Sequence, residues 1–163
     1  MMGRAIGILV ALLFGCQPEV ALDVVLVDQC GDPAAFQGTG SIRVSLLGSA
    51  GLGAAADPTG CTLRSICVPA EPPLDSFASL RSSLEARGTL MVTAPGIDRG
   101  VVIAGFRDRI CQPDPMDPNP LTFCGYQIGA IPEDDASFYL LVSCTASNLT
   151  RTCWPIQFLS TCP

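Results

Sequence analysis

Cysteine is the residue type with the most chemistry to offer in this chain. Nine occur in 163 residues, at positions 16, 30, 61, 67, 111, 124, 144, 153 and 162, and there is no histidine. Such density marks an oxidising compartment where disulfides persist. A zinc site is disfavoured, because no C-x2-C pair occurs. The closest spacings, Cys61 to Cys67, Cys144 to Cys153 and Cys153 to Cys162, are not those of a zinc module. Nine is odd, so complete pairing leaves one sulfur over. Cys30, Cys61, Cys67, Cys111, Cys124, Cys144, Cys153 and Cys162 form an even set, whereas Cys16 stands apart at the end of an apolar run. Eight half-cystines permit about a hundred arrangements. Local pairing predicts Cys61–Cys67 and Cys111–Cys124, with Cys30, Cys144, Cys153 and Cys162 dividing among themselves.

Carboxylates are the second chemical resource. The stretch "CQPDPMDPNPLTFC" would close into a loop through a Cys111–Cys124 bond, and prolines at 113, 115, 118 and 120 would stiffen it. Such a loop reads either as a rigid recognition element or as a protected hairpin connection. Asp114, Asp117 and Asn119 within it offer oxygen ligands to calcium. Three acceptors fall short of the roughly six to eight that calcium takes, and the EF-hand glycine and bidentate glutamate are missing. Glu133, Asp134 and Asp135 in "PEDDAS" read as a solvated turn. Without histidine there is no Ser-His or Cys-His couple, and oxidised cysteines supply no thiolate. A facing carboxylate pair, as in a glycosidase, is the one hydrolytic alternative, and the sequence predicts no cofactor.

Charge narrows the partners further. Fifteen acids against nine basic residues, all of them arginine, give a net charge of −6. No basic patch is available for nucleic acid, which is excluded as a partner.

The N-terminus explains the ninth cysteine. Met1 to Arg4 carry one positive charge, and Ala5 to Phe14 form an apolar stretch of about ten residues, the length of a secretory h-region rather than of a spanning helix. The stretch ends in Leu13-Phe14-Gly15-Cys16, which resembles the lipobox of bacterial lipoproteins: an aliphatic residue three before a cysteine and a small residue directly before it. The resemblance covers the first sixteen residues. It implies a signal peptide over 1–15 cut after Gly15, a diacylglyceryl thioether on Cys16, and acylation of the new amine. Two or more chains make membrane attachment effectively stable where one is marginal. Gln17 after the cysteine fits outer-membrane sorting in enteric bacteria. Residues 16–19 would then be a tether on the order of 10 Å long. Loss of Arg4 with the leader would leave eight arginines against the 15 acids, a net charge of −7. An anionic membrane surface would repel that charge, so the lipid must hold the protein there.

The remaining chain, 20–163, must position these cysteines. Its dominant period is two. In "SIRVSLLG", Ile42, Val44 and Leu46 fall on one face and Arg43 and Ser45 on the other. "ALDVVLVD", "CTLRSICV", "TLMVTA", "VVIAGF", "FCGYQIGAI", "FYLLVSC" and "WPIQFL" behave similarly, separated by Gly, Pro and Asp. The pattern predicts an all-β antiparallel sandwich of seven to eight strands, stapled by disulfides. In its strand pattern it resembles the immunoglobulin-like and carboxypeptidase-regulatory-like sandwiches of surface lipoproteins. One helix is predicted in "LDSFASLRSSLEARG", with Phe77, Leu80 and Leu84 on one stripe, Asp75 or Ser76 as cap and Gly88 as stop. These features predict a lipoprotein of the bacterial cell envelope whose module binds a protein or glycan ligand or serves structurally. A carboxylate-dependent hydrolase is the alternative.

Overall fold

The computed structural model describes residues 20–47, 61–86, 90–92, 98–112, 116–117, 120–130 and 137–153. Seven strands fall within these described residues, β1 (Val20–Asp28), β2 (Thr39–Leu47), β3 (Thr62–Leu74), β4 (Leu90–Val92), β5 (Asp98–Phe106), β6 (Leu121–Ala130) and β7 (Ser137–Ser143). Each falls on one of the alternating runs. "WPIQFL" lies outside the described residues.

The strands form one sheet in the order β3-β2-β5-β6-β7-β1-β4. It curls into a half-barrel. This corrects the expected antiparallel sandwich in two respects. The strands are hydrogen-bonded in a single sheet, and β1 runs parallel to β7, from Asp23 opposite Ser137 to Asp28 opposite Val142. Period-two alternation says that each strand has two unlike faces, but it carries no information on strand direction or on which strand lies beside which. β4 joins only at the start of β1, through Val20 to Leu22. β3 lies at the opposite edge, where its Pro69, Pro72 and Pro73 remove no ladder donor from the sheet interior.

Both faces of the central strands are covered. The inner face carries Ile42, Val44 and Leu46 of β2, Val101 and Ile103 of β5, Phe123 of β6, and Leu140 and Val142 of β7. A 3-10 turn, Pro33–Phe36, and helix α1, Phe77–Glu85, close over it with Phe36 and Leu80, both fully buried. The Phe36 ring sits 5.4 Å from that of Phe123 and 5.8 Å from that of Phe77. Helix α1 starts where expected. The Ser76 hydroxyl accepts from the Ser79 amide at 3.3 Å, and the Ser79 hydroxyl accepts from the Ser76 amide at 3.2 Å, a reciprocal cap. Leu80 is buried, and Phe77 and Leu84 pack beside it.

The outer face differs from expectation. On a half-exposed strand Arg43 and Ser45 would meet water, yet Ser45 is buried and hydrogen-bonds Ser65 across the β2/β3 pair at 3.0 Å. Leu47, Val102, Ala104, Phe106, Leu121 and three half-cystines form a second core there. Among the described residues, every buried Ser or Thr hydroxyl has a partner. Thr39 bonds Thr122 at 2.7 Å and donates to the Phe36 carbonyl at 2.8 Å, and Ser143 accepts from Asn148 at 2.9 Å. Satisfied in this way, the hydroxyls avoid the desolvation cost that a bare buried polar group carries.

Candidate functional site

Strand register places the cysteines. Across the outer face, Cys67 of β3 pairs with Arg43 of β2, Arg43 with Ala104 of β5, Ala104 with Cys124 of β6, and Cys124 with Ser143 of β7. Two half-cystines therefore stand in one row across five strands. Their partners reach that row from elements that fold over it. Cys111 follows the bend after β5 and bonds Cys67, while Cys153 ends the helical segment 146–153 and bonds Cys124. A third bridge, Cys30–Cys144, ties the residues just beyond the ends of the parallel strands β1 and β7. Cys61 is disulfide-bonded as well.

These bonds overturn both local pairings. Cys61 precedes β3 and Cys67 lies midway along it. Six residues of extended chain span about 20 Å, whereas bridged Cα atoms lie about 4.4–6.8 Å apart. Cys111 and Cys124 do not bond each other, because one is drawn toward β3 and the other faces the segment 146–153. The connection between them is thus fixed at its two ends to different elements instead of closing on itself. Asp117 is described, while Asp114, Asn119, Glu133, Asp134 and Asp135 lie outside the described residues, as do Cys16 and Cys162. Among the described residues, no three His, Cys, Asp or Glu side chains gather as a metal site.

The best-built polar cluster is one that motif reasoning passed over. Asp108 heads the bend after β5, and its Oδ1 accepts from the amides of Ile110 at 2.7 Å and Gln112 at 3.2 Å. The Ser41 hydroxyl accepts from the Cys111 amide at 3.0 Å, and Arg43 Nη2 donates to the Cys111 carbonyl. The guanidinium carbon of Arg43 lies 5.1 Å from the centre of the Phe106 ring. Burial pushes the Arg43 pKa down, and the neighbouring Asp108 charge opposes that shift. All of this holds Cys111 at φ 54°, a left-handed conformation unfavourable for a residue with a Cβ. The aspartate in "FRDRIC" is the available sequence signal, since Asp after a strand favours such side-chain-to-backbone turns. Arg43 gave none, because an arginine in an alternating strand looks like an ordinary solvent-facing residue.

The chemistry of this cluster is structural. Its sulfurs are oxidised and its carboxylate is committed to backbone amides, so what it does is hold the 107–112 bend rigidly against β2 and β3. No protein-family model, no curated protein and no solved structure matches the chain.

Proposed function

We propose that this is an exported bacterial lipoprotein, processed after Gly15 and anchored in the envelope, in keeping with outer-membrane sorting, through lipid on Cys16. Its β domain acts as a non-catalytic binding or structural module. Sulfur parity carries the reading. The seven described cysteines, Cys30, Cys61, Cys67, Cys111, Cys124, Cys144 and Cys153, are all bonded. Six of them pair among themselves, so Cys61 takes its partner from the remaining two, Cys16 and Cys162, and one sulfur is left over. Leu13-Phe14-Gly15 directly before Cys16 selects the residue that is spared for acylation.

The three described bridges, with Cys61 bonded as well, suit a rigid body exposed to an oxidising, protease-containing space. Intact-mass measurement of the membrane-extracted protein tests the proposal. The expected product begins at residue 16 and carries glyceryl and acyl mass that a Cys16→Ser variant lacks. A chain whose Cys16 is a free thiol or half of a disulfide overturns it.

A further inference from the structure

The outer face of the sheet is not covered everywhere. On β1 and β7, Val27 is 37% exposed, Leu141 42% and Tyr139 62%. Val27 pairs with Leu141, and Val25 with Tyr139, across the parallel rungs. Leu140 and Val142 point into the inner core, so Tyr139 and Leu141 point outward by alternation. Tyr126 of β6 prolongs this strip. The pairs Cys124–Ser143 and Gly125–Val142 bring it opposite Leu141, and it is half-buried against the outer core. The described cover of the outer face, the 107–112 bend and the segment 146–153, is bonded to Cys67 and Cys124 and leaves the strip open.

We propose that this strip is the face the domain lays against the bilayer, an inference that rests on the lipid-anchor reading. Where the chain enters the domain favours that occupant. Residues 17–19 can reach at most on the order of 10 Å between Cys16 and β1, and Val25 lies about 17 Å along the strand from Val20. The strip thus begins on β1, the strand nearest the anchor in sequence, and continues onto its parallel neighbour β7. Its size favours the same occupant. The exposed area of the three side chains is on the order of 300 Å², against about 800 Å² that each partner contributes to a standard protein interface. A second copy would gain little from so small a patch. A surface to which the domain is already tethered needs far less, because the anchor supplies the effective concentration. Tyrosine also suits the depth of the headgroups, with its ring among acyl chains and its hydroxyl in water. The chain is strongly acidic, so the contact is apolar and its natural partner is a zwitterionic surface.

The test uses the mature lipidated protein in phosphatidylcholine nanodiscs containing a gadolinium-chelating headgroup lipid, with methyl relaxation read by NMR. Enhancement at Val27 and Leu141 is expected to exceed that at Ile66 and Met116 severalfold and to be unchanged by added salt. Ile66 and Met116 are the controls because they are 37% and 87% exposed on other parts of the surface. The double variant Tyr139→Ser, Leu141→Ser should abolish the contrast at Val27. Equal or reversed enhancement overturns the proposal. So does broadening at Val27 and Leu141 that follows protein concentration without gadolinium, which would assign the strip to a second copy. Intact mass of the same sample reports the acyl group independently. If the exported chain carries none, the anchor reading fails by itself, and a lipid coupled to the mature N-terminus lets the same relaxation pattern judge the strip.

Discussion

Gly105 on β5 sits directly opposite Phe123 on β6, and the phenyl ring lies across the glycine. A Cβ at position 105 would come within 2.3 Å of ring atom Cε1 and 2.5 Å of the Thr122 hydroxyl. Phe123 cannot retreat, because it is fully buried and its other contacts include Phe36. Gly105→Ala is therefore expected to destabilise the domain by about 2 kcal/mol, as overpacking does. Phe123→Ala should cost about 3–5 kcal/mol through the cavity it leaves. Urea unfolding of both variants checks this, and a Gly105→Ala midpoint equal to that of the parent would contradict the packing described.

Arg43 is expected to matter more for its shape than for its charge. Its removal strips a donor from the Cys111 carbonyl and a cation from the Phe106 ring. Arg43→Met should lower stability by about 1–3 kcal/mol. Lysine has no planar fork with which to meet carbonyl and ring together, so Arg43→Lys should recover less than half of that loss. Thermal melts of the two variants give the comparison.

The three described bridges should differ in worth according to the chain they enclose. Cys30 and Cys144 are 114 residues apart, Cys124 and Cys153 only 29. In the chain-entropy picture these correspond to about 5 and about 3.6 kcal/mol. Paired replacement by alanine, followed by denaturant titration, should find Cys30/Cys144 the costlier loss.

Disulfide mapping should find Cys61 joined to Cys162. If Cys16 is acylated as proposed, Cys162 is the half-cystine left for it. Non-reducing peptide mass fingerprinting of the mature protein checks this directly, and a Cys16–Cys61 peptide would contradict the anchor and the parity together.

Acid below the ordinary carboxylate range should loosen the start of helix α1. The Ser76 hydroxyl donates to Asp75 Oδ1 at 2.8 Å, and hydrogen bonds from Ser76 and Ser79 hold the Asp75 carboxyl below its ordinary pKa. A carboxyl depressed in the folded state contributes stability that is complete above its unfolded pKa and is lost as pH falls through the folded one. Amide exchange at Ser79 and Leu80, compared between neutral pH and pH below the usual carboxylate range, should show opening that an Asp75→Asn variant shows at every pH.

What could be read without the structure was whatever a short stretch of chain decides for itself. Ile42, Val44 and Leu46 are on the core side of β2 because alternation is local, and Ser76 caps α1 because its partner is three residues away. The pairing of Cys67 with Cys111 was not legible, because it follows from β2 lying between β3 and β5 and from the register of Arg43 with both. One constraint was nonetheless available: a run that forms a strand from Thr62 onward already keeps Cys61 and Cys67 too far apart to bond. The Arg43 cluster was hidden for the same reason as the bridges. Its members, Ser41, Arg43, Asp108 and Cys111, come from two regions of sequence and meet only through the β2/β5 pairing.

The bridge between Cys30 and Cys144 also determines how the molecule carries mechanical load. Tension drawn between the N-terminal end of β1 and the chain beyond residue 144 pulls on opposite ends of a parallel pair, so the rungs resist in shear, all at once, instead of unzipping singly. Should they yield, the sulfur link hands the force straight from residue 30 to residue 144. Most of the chain wound between those two positions, with Phe36, Ile42, Val101, Ile103 and Phe123 of the inner core, is then a slack loop on a taut line, and a pull at the N-terminal end of β1 bypasses it.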